Sequence, residues 1–145
     1  MVVGGHVERD ETQTEAAVRE AMEESGLRVR LLACPSPVLP AGYPHKPVAQ
    51  PWWVSEMLVP ADNHLDEPHV HVDHQYVAVV DSPVPVSDAV HPFAWYRQDE
   101  LVGLAMFDDT RLLADALFPQ IGRIDAAAKE DSAALLRVLS SAWLT

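Results

Sequence analysis

The sequence predicts an α+β fold, and three observations carry that prediction. A helix marked at both ends spans roughly residues 13 to 25, three stretches with strand patterning follow between residues 28 and 80, and a second apolar helical stripe begins near residue 108. With 145 residues and 48% apolar content, the chain is expected to form a single domain over 1–145 with a useful core.

The first helix is the best marked element. Thr12 and Glu15 form a T-x-x-E capping box, and Gly26 supplies the left-handed residue on which helices often stop. From Arg28 to Ala33 the chain alternates, with Val29, Leu31 and Ala33 on one face, as a strand does. Residues 35–51 hold six of the twelve prolines and predict an irregular loop. Trp52–Val59 and His69–Val80 read as two further strands, separated by a polar loop from Pro60 to Pro68. A Pro/Ser/Asp stretch at 81–92 leads to a short strand at Phe93–Tyr96. Asp108 or Asp109 is expected to cap a helix over about 108–118, with Leu112, Leu113, Ala116 and Leu117 as its stripe and Pro119 as its stop. A last helix, about 125–143, would bury Leu135, Leu136, Leu139 and Trp143. Neither a repeat nor a second domain is visible.

Within the first helix, Glu20, Glu23 and Glu24 stand at i, i+3 and i+4, which puts three carboxylates on one face. Like charges at this spacing repel unless a cation sits among them. Mg²⁺ suits such a face, being a hard cation that binds through a few carboxylates, water and substrate phosphates. Arg19 lies between Glu15 and Glu23 at helical spacing and can pair with either. Gly4 and Gly5, just ahead of the helix, allow backbone close to an anion or a metal. A solvated acidic helix would account for three carboxylates. It would not account for the glycines, the arginine inside the cluster and Glu11 in the loop. From Gly5 to Leu27 the chain matches G-x5-E-x7-R-E-U-x-E-E-x-G-U, with U apolar, at every specified position.

This segment resembles the Nudix box of the Nudix hydrolase superfamily, whose members cleave nucleoside diphosphates linked to another group. HVHVDHQY at 69–76, FAWYRQDEL at 93–101 and FDDTRLLADALF at 107–118 are similar to the later strands and closing helix of bacterial Nudix domains. The resemblance implies an α/β/α sandwich with a mixed central sheet. It implies Glu20, Glu23 and Glu24 as metal-binding carboxylates, the Gly5 carbonyl as a further ligand, and Arg19 and Glu11 as the pair that holds loop and helix in register. The implied cofactor is Mg²⁺, with Mn²⁺ as a substitute, and the implied reaction is in-line attack of water on a phosphorus of a P–O–P bridge. One of the glutamates, or a water they orient, would act as the base.

Two departures from the family pattern shape further expectations. Nudix domains usually carry two or three strands ahead of the box, and here only Met1, Val2 and Val3 precede Gly4. Either the start is truncated or misassigned, or the sheet is completed by another route such as a partner chain, which implies a homodimer because open sheet edges invite pairing. Many relatives also place a glutamate before the position of Trp95, where this chain has His91, Pro92, Phe93 and Ala94; Asp88, His91 or Asp73 are the candidate substitutes.

Other side chains have two readings each. His69, His71 and Asp73 share one strand face. Such a set suits zinc, it equally suits a solvated polar face, and the resemblance favours substrate contact or support of the metal site. Trp52, Trp53 and Tyr43 can stack a base, although tryptophans more often fill cores. Tyr43 falls near where dinucleoside-polyphosphate hydrolases carry a tyrosine, while Pro40 and Pro44 straddle the position of the proline that marks ADP-ribose hydrolases. The single cysteine, Cys34, excludes an internal disulfide and reads as a structural thiol.

A net charge of −12 argues against a nucleic acid polymer as partner, since such binding needs a basic footprint, and is compatible with a small nucleotide arriving with its magnesium. The sequence has no signal peptide or membrane span, so the expectation is a cytoplasmic protein without a membrane partner. The leading function is a Mg²⁺-dependent nucleotide pyrophosphohydrolase. Its alternatives are a non-catalytic Nudix-like module that binds a nucleotide and regulates something else, and a truncated inactive domain. The substrate itself, among nucleoside triphosphates, nucleotide sugars, ADP-ribose and dinucleotides, is not written in the box.

Overall fold

In the computed structural model, which describes residues 2–32, 34 and 39–124, helix α1 (Gln13–Ser25) forms as its caps dictate. Thr12 stays extended and its Oγ1 accepts the Glu15 N–H at 3.3 Å, while Glu15 Oε2 accepts the Thr12 N–H at 2.8 Å. Gly26 ends the helix at φ 71°, with its N–H on the Met22 carbonyl at 2.9 Å. A Cβ there would run into the Ser87 carbonyl, so the backbone and its neighbour both require glycine.

Strand β1 (Val29–Leu32) follows at once and α1 packs against it. β2 (Trp53–Val59) pairs antiparallel with β3 (His69–Gln75), from Trp53 opposite Gln75 to Val59 opposite His69. β4 (Val77–Val80) pairs antiparallel with β1, from Val29 opposite Val80 to Leu32 opposite Val77. The expected strand His69–Val80 is therefore divided at Tyr76. Its alternating part joins β2, and its apolar part crosses to β1 to reach the core. Both ladders are two-stranded and antiparallel, so the described residues form an α+β arrangement but not the mixed central sheet that was expected.

The core is built from Leu32, Trp52, Val77 and Ile124, with Cys34, Trp53, Val79 and Leu117 packed on it. Burying a Leu or Val side chain stabilises by roughly 1.5–3 kcal/mol, against about 1 kcal/mol for a ladder hydrogen bond. Leu32 and Val77 thus each contribute more to the short β1–β4 ladder than any one of its backbone bonds. Trp52 belongs wholly to this core: it is 8% exposed and its Nε1 donates to the Leu32 carbonyl at 2.7 Å. Burial pushes the Cys34 thiol up and so lowers its thiolate fraction, in keeping with a structural role.

Three expectations are corrected in the second half. Phe93–Tyr96 forms no strand and pairs with neither ladder among the described residues; Trp95 instead donates from Nε1 to the Pro83 carbonyl at 3.1 Å and stacks edge-on with Phe93. Helix α2 (Asp108–Leu117) has Phe107 as its N-cap with no side-chain bond, since Asp108 is already helical and Asp109 turns its carboxylate to the Thr110 N–H. Pro119 ends α2 without ending the helical path: a 3₁₀ turn at Phe118–Gln120 accepts the proline near its start, and helix resumes over 121–124. A second 3₁₀ turn, Gln98–Gly103, precedes α2, whose Arg111 reaches back to the Leu101 and Leu104 carbonyls at 2.9 Å each. The expected helix at 125–143 lies outside the described residues. Among the described residues no helix is long and apolar enough to cross a membrane.

Candidate functional site

Arg19 organises the loop–helix junction. Its guanidinium forks onto Glu11, with Nε to Oε2 at 3.1 Å and Nη2 to Oε1 at 2.7 Å. Nη1 turns the other way, donating to Glu20 Oε1 at 2.6 Å and to Glu23 Oε2 at 3.2 Å, while Nη2 also holds the His6 carbonyl at 3.0 Å. One cation therefore ties three carboxylates and one carbonyl, drawn from both the loop and the helix. The Arg19 bonds hold the Glu11 carboxyl below its ordinary value, and the bonds to Glu11 and Glu20 push the guanidinium further up.

The loop closes on the helix face at two further points. Gly4 N–H donates to Glu24 Oε2 at 3.1 Å. Gly5 lies so close to Glu20 that a Cβ would overlap its carboxylate, 2.9 Å from Oε2. A third approach comes from residues 86–91, where Val86 N–H donates to the Gly26 carbonyl at 2.8 Å and Val90 N–H to the Glu23 carbonyl at 2.9 Å. This strap leaves His91 Nε2 4.0 Å from Glu24 Oε1. Of the three candidate substitutes for the absent glutamate, His91 is the one whose contact with the acidic face is seen; Asp88 and Asp73 make no ion pair or side-chain hydrogen bond among the described residues.

Glu20, Glu23 and Glu24 thus share a face but are held separately, the first two by Arg19 and the third by Gly4. Among the described residues each keeps one oxygen outside these hydrogen bonds: Glu20 Oε2, Glu23 Oε1 and Glu24 Oε1. The Glu23 side chain is 52% exposed, against 15% for Glu20 and 17% for Glu24. Oxygen donors spread in this way fit a hard cation that keeps waters and binds through few carboxylates.

The histidines form a different assembly. His69 Nε2 lies 2.9 Å from His71 Nε2 and 3.7 Å from Asp62 Oδ2, and His6 reaches in from the box loop, 5.1 Å from the His71 ring. His6, Asp62 and His71 are the one described trio of His, Cys, Asp or Glu donors within 4.8 Å of one another. The expected trio of His69, His71 and Asp73 is not gathered, because Asp73 sits further along β3 opposite Ser55 while Asp62 comes in from the loop. Sequence reasoning missed His6 and Asp62. Only the position of His6 next to Gly5 could have hinted at it. Tyr43 joins neither cluster; its described ring contact is with His45, at 5.5 Å.

A family model for the NUDIX domain matches residues 2–116, which includes the whole loop–helix junction, both ladders and nearly all of α2. No curated protein and no solved structure matches the chain. The family is one of pyrophosphohydrolase type that acts on phosphoric anhydrides of small nucleotides and generally uses divalent cations such as Mg²⁺. The matched segment spans most of the chain, and the chain belongs to the NUDIX-domain family.

Proposed function

We propose that the protein is a Mg²⁺-dependent pyrophosphohydrolase acting on a nucleoside diphosphate linked to another group. The observation that carries this reading is the Arg19 fork, which fixes Glu11, Glu20 and Glu23 together and leaves one oxygen of Glu20 and one of Glu23 outside its hydrogen bonds. Glu20, Glu23 and Glu24, with the Gly5 carbonyl, would hold the cation, and Mn²⁺ would substitute for it. When bound there it supplies a lower pKa for water and neutralises charge on the phosphoryl oxygens. Glu23, the most exposed of the three, takes the proton of the attacking water. The water oxygen forms a new bond to one phosphorus in line with the bridging oxygen, which leaves on the other phosphate. Arg19 and Glu11 act as positioning residues that set where the glutamates point. Asp73 and Tyr43 belong to the substrate side in this proposal. On the same reading one domain runs over 1–145, and a second copy of the chain pairs with ladder edges that have no partner among the described residues, completing the mixed sheet of the sandwich.

The test is hydrolysis of a nucleotide panel with Mg²⁺ by the native chain, by Glu23→Gln, and with EDTA. Glu23→Gln should lose on the order of 10²-fold or more in kcat. Arg19→Ala should lose a comparable factor, since a 1 Å displacement of a reacting group can cost about 10²-fold. Turnover that survives in Glu23→Gln would refute the proposed base, and a folded chain inert toward the whole panel would refute the activity. A monomer that is fully active would remove the homodimer.

A further inference from the structure

We propose that His6, Asp62, His69 and His71 form a second cation site, separate from the glutamates, for a transition-metal dication of the Zn²⁺ class. The four come from three segments: His6 from the box loop, Asp62 from the β2–β3 connection, and His69 and His71 from one face of β3. Chain-distant side chains of this kind meet only because the fold brings them together.

Two of the four, His69 and Asp62, are oriented by backbone hydrogen bonds. His69 Nδ1 lies 3.1 Å from the Glu67 carbonyl, which can only accept, so Nδ1 carries the proton and Nε2 presents a lone pair to the cluster. That arrangement, with the far ring nitrogen on a backbone carbonyl, is how metal-binding histidines are usually oriented. Asp62 is set in the same manner. Its Oδ1 accepts the His64 and Leu65 N–H groups at 2.8 and 3.0 Å, which leaves Oδ2 facing His69 at 3.7 Å. The His64 ring lies against that of His6, with centroids 4.1 Å apart.

Chemistry then selects the ion. Imidazole nitrogens with one carboxylate suit Zn²⁺ and its neighbours, whereas Mg²⁺ prefers oxygen alone. Tetrahedral donors about 2.0–2.1 Å from Zn²⁺ stand about 3.4 Å apart. The His69–His71 pair at 2.9 Å is already near that spacing, and His71 in turn belongs to the His6–Asp62–His71 trio, whose donors lie within 4.8 Å of one another. With four protein donors no position stays open, so the site is structural. It would clamp His6, and with it the adjacent Gly5 that lies against Glu20, to the β2–β3 ladder.

The test uses the full chain with Mg²⁺ in excess, titrated with Co²⁺ as a visible probe and Zn²⁺ as competitor. One equivalent of Co²⁺ should give the intense visible band of a tetrahedral site, Zn²⁺ should displace it and raise the melting temperature. His71→Ala and Asp62→Asn should each weaken Co²⁺ binding at least about tenfold. Glu20→Gln should leave it unchanged. If His71→Ala does not fold, Asp62→Asn decides, because it keeps the acceptor that holds the turn. Absence of saturable Co²⁺ binding, or binding lost in Glu20→Gln and kept in Asp62→Asn, overturns the site while leaving the hydrolase reading intact.

Discussion

Helices α1 and α2 are both visible in the sequence, yet they are secured by different means. α1 closes its own ends, with a reciprocal Thr12–Glu15 box at one and a left-handed Gly26 at the other, and its polar face is tied by Arg19. α2 starts on Phe107 without a side-chain bond, continues in right-handed conformation through Phe118, and has no fully buried residue. Its Arg111 serves the neighbouring 3₁₀ turn rather than the helix itself. Among the described residues, Leu117 is the α2 side chain packed on the core cluster. α1 is specified by local chemistry and α2 by what lies around it. The helix that must present charged groups at fixed positions is the one whose two ends are closed by its own residues.

Substitutions can break that contrast, and the largest effect should be at Gly26. Gly26→Ala forces a Cβ into left-handed backbone and against the Ser87 carbonyl. It should cost at least about 2 kcal/mol in urea denaturation, whereas Leu112→Ala on the open side of α2, where Leu112 is 69% exposed, should stay within about 0.5 kcal/mol. Equal effects would mean that α1 is no more self-contained than α2. The helix starts offer a smaller and opposite pair. Thr12→Ala should destabilise by about 1 kcal/mol, while Phe107→Asp, which adds the missing cap, should gain about 0.5–1 kcal/mol. A Phe107→Asp variant less stable than the native chain would show that Phe107 packs in a way its 65% exposure does not suggest.

Acid sharpens the comparison with the smallest effect. The hydrogen bonds from Arg19 to Glu11, and from Thr12 to Glu15, hold both carboxyls below their ordinary value of 4.5. A depressed carboxyl stabilises the fold fully above its unfolded value and loses that contribution as pH falls through the folded one. Stability should therefore decline as pH drops below 4.5, and Glu15→Gln should flatten that decline in denaturation midpoints measured across it. An unchanged acid limb in Glu15→Gln would count against the capping box as its source.

Local chemistry also explains how much could be read from the chain. The box loop, α1 and its caps were legible because each depends on residues within about one turn of helix or a short loop. Strand β1 was legible from alternation and β2 as a strand candidate between two loops, each within one residue at its start. The division at Tyr76 was not, because the run His69–Val80 has strand character throughout and only the partners change. Phe93–Tyr96 looks like a strand by composition, yet among the described residues it joins neither ladder. Trp52 illustrates the same limit: its residue type allows stacking or burial, and the Leu32 carbonyl decides for burial. The His6–Asp62 meeting depends wholly on tertiary structure, since no spacing rule connects a box loop to a strand connection.

The two ladders are nested. β1 and β4 enclose the whole of β2 and β3, so closing Leu32 onto Val77 must span residues 33–76, while closing Val59 onto His69 spans only 60–68. Because the entropy of closing a loop rises with its length, and a formed inner hairpin shortens the outer loop, the β2–β3 hairpin should assemble first. The core that joins Leu32 to Val77 then forms late, and α1, packed on β1, settles against the rest of the fold at the end. In pulsed amide exchange, β2 should gain protection before β4, and the reverse order would overturn this sequence of events. The glutamate face would then be among the last parts of the molecule to be built, completed only after the scaffold beneath it has closed.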